Sequence, residues 1–166
     1  ENGIFEHVSF ADSDQIMKSA KSFIGHDIKN SSLTYKMLKE FDQICQLRHC
    51  IAHVDSYFAA KNAINLGLEP NKNIIKVKIE FDTFQECLAI CVNLVASVNF
   101  DLFSLLAKRW AIDWRREPSW ELSKESKRFD SIWNLFYSET DCRLGLIEKP
   151  LSKTKCKNQI KKHYVR

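Results

Sequence analysis

The segment from Leu47 to His53 holds the side chains of this sequence that are best suited to chemistry, namely Arg48, His49 and His53. Histidine suits proton transfer, because its usual pKa of about 6.5 leaves both protonation states populated near neutrality. Arginine suits phosphate, because its planar guanidinium donates bidentate, charge-assisted hydrogen bonds. The sequence contains no Walker loop, Gly-rich dinucleotide fingerprint, HExxH pair or nucleophile elbow. This segment is therefore the leading candidate site.

The arrangement Arg48-x4-His53 resembles the motif of the HEPN superfamily (higher eukaryotes and prokaryotes nucleotide-binding), in which an arginine and a polar residue precede a histidine. Here His49 supplies the polar residue and Ile51-Ala52 supplies a small apolar pair. The resemblance covers residues from about 12 to about 110. It implies an all-α fold, a four- to five-helix up-and-down bundle of HEPN type.

The same resemblance implies a metal-independent endoribonuclease, in which the ribose 2′-hydroxyl attacks the adjacent phosphate of an RNA substrate. By resemblance, His53 transfers protons, Arg48 stabilises the charge on phosphorus, and His49 orients or assists. No cofactor is expected. The biology of the family further implies a cytoplasmic toxin or phage-defence effector, restrained by an antitoxin or a regulatory domain.

Helix geometry adds a constraint on Arg48 and His53, because residues five apart on a continuous helix point about 140° away from each other. Arg48 also shares a helical stripe with apolar residues, where an unpaired buried guanidinium is costly. Either an acid or a phosphate satisfies it there, or that face meets a second subunit. HEPN nucleases resemble the second case, so we predict a homodimer with a composite cleft at its two-fold axis. The apolar members of the stripe are Met37, Phe41, Ile44 and Ile51.

Three other interpretations remain open at this point. Cys45, His49 and His53 are spaced i, i+4 and i+8 and fall on one helical face, where they would supply three metal ligands without an evident fourth. A non-catalytic HEPN module would instead serve dimerisation, nucleotide binding or toxin neutralisation. In an ordinary interaction bundle, Arg48 would form a salt bridge and the histidines would be surface residues.

The elements that must position the site follow from apolar periodicity and from end signals. The first helix is predicted from about 13 to 24, with Asp12 or Ser13 as its N-cap and Gly25 as its stop. A second runs from about 33 to 66, with a break near Gln46 left open. A capping box at 83–86 opens a long helix that ends before Pro118.

Two further elements complete the predicted fold. Alternation from Ile75 to Phe81 predicts one short strand or extended segment near 74–81, paired with residues 4 to 10 or another chain, or packed against helices. A last helix is predicted at about 119–138, with Phe129, Ile132, Trp133 and Phe136 on one face.

Charge and length indicate one domain with a tail. The chain has 166 residues and a net charge of +4, and the last eighteen residues hold seven Lys or Arg and no acid. We therefore predict a helical domain over 1–148, with its core at about 12–115, and a basic tail over 149–166. The tail either attracts phosphate without sequence preference or is simply solvated.

The junction at 108–116 interleaves cations with Trp110 and Trp114, which suits RNA binding by phosphate contact and base stacking. The alternative is a helix C-terminus that favours cations and packs its tryptophans. The candidate RNA-binding residues are Lys108, Arg109, Arg115 and Arg116.

The stretch 87–107 carries a single charge, Asp101, and raises the question of a membrane span. Its polar residues fall within one stripe, so we predict the central helix of a bundle and no membrane partner. Six cysteines without a C-x-x-C pair indicate a reduced, intracellular chain.

Overall fold

The computed structural model describes residues 10–53, 55–57, 60–69, 76–145 and 151–165, with the backbone alone described at 60–62 and 141. Its described elements are helical, so the all-α class is confirmed, whereas the HEPN-type bundle stays a prediction. The helices are α1 (Ser13–Ser19), extended by a π-helical turn (Ala20–Ile24), α2 (Leu33–His53), α3 (Ala60–Asn65), α4 (Phe81–Lys108), extended by a π-helical turn (Arg109–Asp113) and a 3-10 turn (Trp114–Arg116), a 3-10 turn (Leu122–Lys124), α5 (Glu125–Phe136), α6 (Glu139–Arg143) and α7 (Lys153–Tyr164).

Helix α1 together with its π-helical turn spans residues 13–24, as the sequence predicts. The Asp12 carboxylate accepts hydrogen bonds from the backbone amides of Asp14 and Gln15, at 2.7 and 3.2 Å, so Asp12 is the N-cap. The π-helical turn that follows ends at Gly25, whose φ of 67° lies in the left-handed region that glycine adopts at low cost.

Helix α2 continues through Gln46 and ends at His53, so the break considered near Gln46 is absent, and α3 is a separate helix. Helix α4 begins at Phe81, two residues before the predicted capping box, and the Phe84 amide donates to the Glu80 carbonyl at 2.9 Å. The long helix does end before Pro118, as predicted.

The predicted strand is reduced to one isolated antiparallel bridge between Tyr57 and Lys76, among the residues the structure describes. The Val77 amide donates to the Ser56 carbonyl at 2.7 Å, and α4 begins at Phe81. Residues 76 and 77 are therefore held against the turn after α2. Residues 74–75 and the suggested partner at residues 4–9 lie outside the described part of the chain.

The chain divides into two compact units, residues 1–97 and 98–166. In the first unit, α1 is tied to α2 at Ser13, which is 1% exposed. The Ser13 amide and hydroxyl both donate to the Asp42 carboxylate, at 2.8 and 2.5 Å, and Lys39 Nζ donates to the Ser13 oxygen at 3.1 Å. Burial lowers the pKa of Lys39, but Asp42 and Asp14 outweigh it and hold that pKa above its ordinary value. Lys39 is therefore the cation of a structural cluster.

The contact of α2 with α4 in the first unit is partly polar. Leu38 and Leu94 are buried, and the hydroxyls of Thr34 and Ser97 lie 2.6 Å apart. Thr34 is itself 2% exposed, so this hydrogen bond satisfies a buried hydroxyl.

The second unit has an aromatic core around Trp110 and Phe129, both fully buried, whose ring centroids lie 4.9 Å apart. The Trp110 Nε1 donates to the Glu125 carbonyl at 3.3 Å. Residues 153–164, which the sequence places in a basic tail, form α7 and pack on this core. The α7 residues against it are Cys156, Ile160 and Tyr164.

Helix α4 is not the buried centre of a bundle, contrary to the prediction for residues 87–107. The helix from Phe81 to Arg116 spans 36 residues and passes for a membrane span by length and composition, and only 6% of its most apolar 18 residues are buried. One such helix is weak support for a membrane span. Apolar side chains are exposed along much of the length of α4 in the described chain. Exposed on α4 are Phe81, Phe84, Leu88, Val92, Val95 and Phe100.

Replacing Asp42 with Ala should lower the free energy of unfolding by about 1–3 kcal/mol, because a buried amide and hydroxyl of Ser13 lose their acceptor. Asp14→Ala is the matched control, since it removes an exposed partner of the same Lys39 at 3.7 Å and should cost less than about 1 kcal/mol. Urea unfolding followed by circular dichroism measures both. Equal losses would show that the buried hydrogen bonds of Ser13 do not hold α1 to α2.

Candidate functional site

The last two turns of α2 carry Arg48, His49 and His53, and all three side chains are exposed. Because α2 is continuous, His49 and His53 lie one turn apart on the same face. Their ring centroids are 5.1 Å apart, with an angle of 49° between the ring planes. The helix thus presents two neighbouring imidazoles to solvent.

Arg48 points about 140° away from His53 around the same helix, so one α2 helix does not aim both side chains at one point. The apolar residues around Arg48 are only partly covered, and Ile51 is 42% exposed. Within the described ranges, no ion pair or side-chain hydrogen bond is found for Arg48. An acidic partner, one of the alternatives for Arg48, is therefore not found in this part of the chain.

A tight turn directly after the motif closes the end of α2. Asp55 and Ser56 have φ values of 48° and 68°, two successive left-handed residues without a glycine. The Ser56 amide donates to the carbonyl of the buried Cys50 at 3.1 Å, which satisfies the last helical turn. Such backbone strain concentrates at functional sites. Aspartate tolerates the left-handed conformation, so Asp55 is the one signal in the sequence for this turn, which the motif itself does not predict.

Tyr57 and Lys76 flank this turn. Lys76 Nζ lies 5.7 Å from the centroid of the Tyr57 ring, within the range of a cation–π contact. The bridge between their backbones fixes them together. Tyr57 lies four residues after His53 in the sequence, and the bridge places Lys76 beside it.

In the part of the chain that the structure describes, no group of three His, Cys, Asp or Glu residues is arranged to hold a metal, and Cys45, His49 and His53 form no such group. Burial, followed by the charges of Asp42, Cys91 and Asp12, raises the pKa of the Cys45 thiol to about 11, with Arg48 acting in the opposite direction. A metal ligand must be the thiolate, which is disfavoured here. All six cysteines are free thiols.

The cations of the 108–116 junction belong to the second unit and differ in environment. Lys108 and Arg116 are exposed, whereas Arg109 is partly buried. Arg115 is largely buried in an ion pair with Glu125, and its guanidinium lies 5.5 Å and 5.6 Å from the ring centroids of Trp110 and Trp120. Arg115 is therefore committed to the core of its unit, as the packing alternative describes.

Comparisons with models of protein families, with curated proteins and with solved structures find no match for this chain.

Ser56→Gly should stabilise the chain by about 1 kcal/mol, because glycine adopts the left-handed conformation without the clash of a Cβ atom. Ser56→Val should destabilise it by a similar amount or more, since a β-branched residue tolerates that conformation poorly. Thermal unfolding monitored by circular dichroism compares the two variants. A less stable glycine variant would mean that the serine hydroxyl, not the backbone, determines this turn.

Proposed function

We propose that this chain is a metal-independent endoribonuclease of the HEPN type, whose site is assembled from Arg48, His49 and His53 at the interface of a homodimer. The observation that carries the proposal is the exposed end of α2, where two imidazoles lie 5.1 Å apart and Arg48 points away from them without a described partner. In a two-fold dimer, Arg48 of one chain faces the histidine pair of the other.

The proposed reaction is an internal transesterification of RNA. His53 accepts the proton of a ribose 2′-hydroxyl, and the 2′-oxygen forms a bond to the adjacent phosphorus. The bond from phosphorus to the 5′-oxygen breaks, and that oxygen takes up a proton from an imidazolium. The products are a 2′,3′-cyclic phosphate and a 5′-hydroxyl, so the step uses no water molecule and needs no metal ion.

Each residue type suits its proposed task. The guanidinium of Arg48 binds the non-bridging phosphate oxygens and stabilises the charge that they gain in the transition state. The imidazole of His49 lies one turn from that of His53, where it orients His53 or assists the proton transfers. The strained turn at Asp55 and Ser56 fixes the end of the helix beneath them.

The exposed apolar surface of the first unit supports a second copy as the missing partner. Leu33 and Ile51 lie on the same side of α2, roughly five turns apart, and are 62% and 42% exposed. Arg48 lies between them on the edge of that side. Exposed apolar side chains on this side of α2 are available for contact with a second copy.

In biological terms, we propose a cytoplasmic toxin or phage-defence effector. An RNA-cutting enzyme must be restrained in its own cell, so the proposal includes an antitoxin or regulatory domain as a further partner.

Purified protein should cleave RNA in the presence of EDTA and leave 2′,3′-cyclic phosphate ends. Arg48→Ala and His53→Ala should each lower cleavage by at least about 100-fold, because each removes one proposed element of transition-state stabilisation or proton transfer. His163→Ala, an exposed histidine of α7, is the matched control and should cleave like wild type.

The oligomeric state is measured on the same samples by light scattering. Equal cleavage by wild type, Arg48→Ala and His53→Ala would refute the proposed site. A dimer without any cleavage would identify the non-catalytic module instead.

A further inference from the structure

The two units of the chain carry opposite charge. Residues 1–97 contain ten Lys or Arg and twelve Asp or Glu, a net charge of −2, whereas residues 98–166 contain fifteen and nine, a net charge of +6. The proposed catalytic residues belong to the acidic unit. The attraction for a polyanionic substrate must therefore come mainly from the second unit.

Helix α7 divides its own lysines between two faces. Three of them lie against α5 and have partners there. Lys153 pairs with Asp130 at 3.0 Å, Lys157 donates to Ser126 at 3.1 Å, and Lys161 pairs with Glu125 at 3.2 Å. Together with Cys156, Ile160 and Tyr164 on the core, they fix which way the helix faces.

The opposite face of α7 carries a different set of side chains. Spaced i, i+3, i+4 and i+7, they fall within about 100° of one another around the helix, and all four are exposed. Across the described residues, no ion pair is found for either lysine of this set, and α7 contains no acidic residue. We call this set the α7 outer face: Lys155, Asn158, Gln159 and Lys162.

We propose that the α7 outer face binds the sugar-phosphate backbone of RNA without sequence preference. This inference rests on the proposed function, because it concerns the binding of the proposed RNA substrate. Ammonium groups and side-chain amides all donate hydrogen bonds to phosphate oxygens. Lys155 and Lys162 are separated by about 10 Å along the helix axis, so they contact different phosphates of one strand.

The same face is poorly suited to a membrane surface. A helix that lies on a bilayer inserts apolar side chains between the lipids, and the apolar side of α7 already packs on Trp110 and Phe129. The outer face offers no apolar residue to insert.

The test is the double variant Lys155→Gln/Lys162→Gln, in full-length protein that also carries Arg48→Ala. The probe is a fluorescent single-stranded oligodeoxynucleotide, which lacks the 2′-hydroxyl and is not cleaved. Loss of two phosphate contacts should lower the slope of log K against log salt by about 1.4 and weaken binding about 25-fold at roughly 0.1 M salt. The matched control, Lys18→Gln/Lys36→Gln, removes two exposed lysines of the acidic unit and should bind like its parent.

Unchanged affinity and salt dependence in the α7 double variant would overturn the inference. So would unchanged oligonucleotide binding combined with lost binding to phosphatidylserine vesicles, which would assign the face to a lipid surface. Because binding is measured without cleavage, a chain that never cuts RNA but shows the predicted loss would refute the nuclease proposal and leave the α7 outer face established.

Discussion

The regular geometry of one uninterrupted helix, α2, determines how the proposed site residues are arranged. Because each residue advances about 100° around the axis, His49 and His53 converge while Arg48 and His53 diverge. The helix runs from Leu33 to His53 without a break, so no local distortion in it turns Arg48 back toward the imidazoles. Under the proposed function, a single copy presents two separate half-sites, and the proposed dimer unites them.

The first unit combines polar contacts between its helices with exposed apolar side chains. Hydrogen bonds join Ser13 of α1 to Asp42 of α2, and Thr34 of α2 to Ser97 of α4. Much of its apolar surface on α2 and α4 is left exposed. In the proposed dimer, a second copy would cover part of this exposed apolar surface. In the second unit, by contrast, an aromatic core holds α7 in place and leaves free lysines outside.

Local signals in the sequence predicted α1, its Asp12 cap and the stop at Gly25, because capping and glycine conformation depend on neighbours in the chain. The burial of Phe129 and Ile132 on α5 was likewise readable from spacing. The end of α2 could not be predicted from spacing, because it depends on a strained turn that is hydrogen-bonded to residues 76 and 77. The docking of α7 on α5 was not predictable either. It depends on ion pairs of Lys153 with Asp130 and of Lys161 with Glu125, and composition does not show which charges pair. The positions of Arg48, His49 and His53 on one helix were predicted, whereas their exposure depends on tertiary packing.

The most direct test of a composite site is complementation between two inactive chains. When Arg48→Ala and His53→Ala proteins are mixed and allowed to exchange subunits, half of the dimers are mixed, and each mixed dimer holds one intact pair of Arg48 and His53 from different chains. If the site is shared between two copies, RNA cleavage should return to about a quarter of the wild-type rate. Cleavage that stays at the level of the separate variants, with subunit exchange demonstrated, would contradict a site shared between two copies.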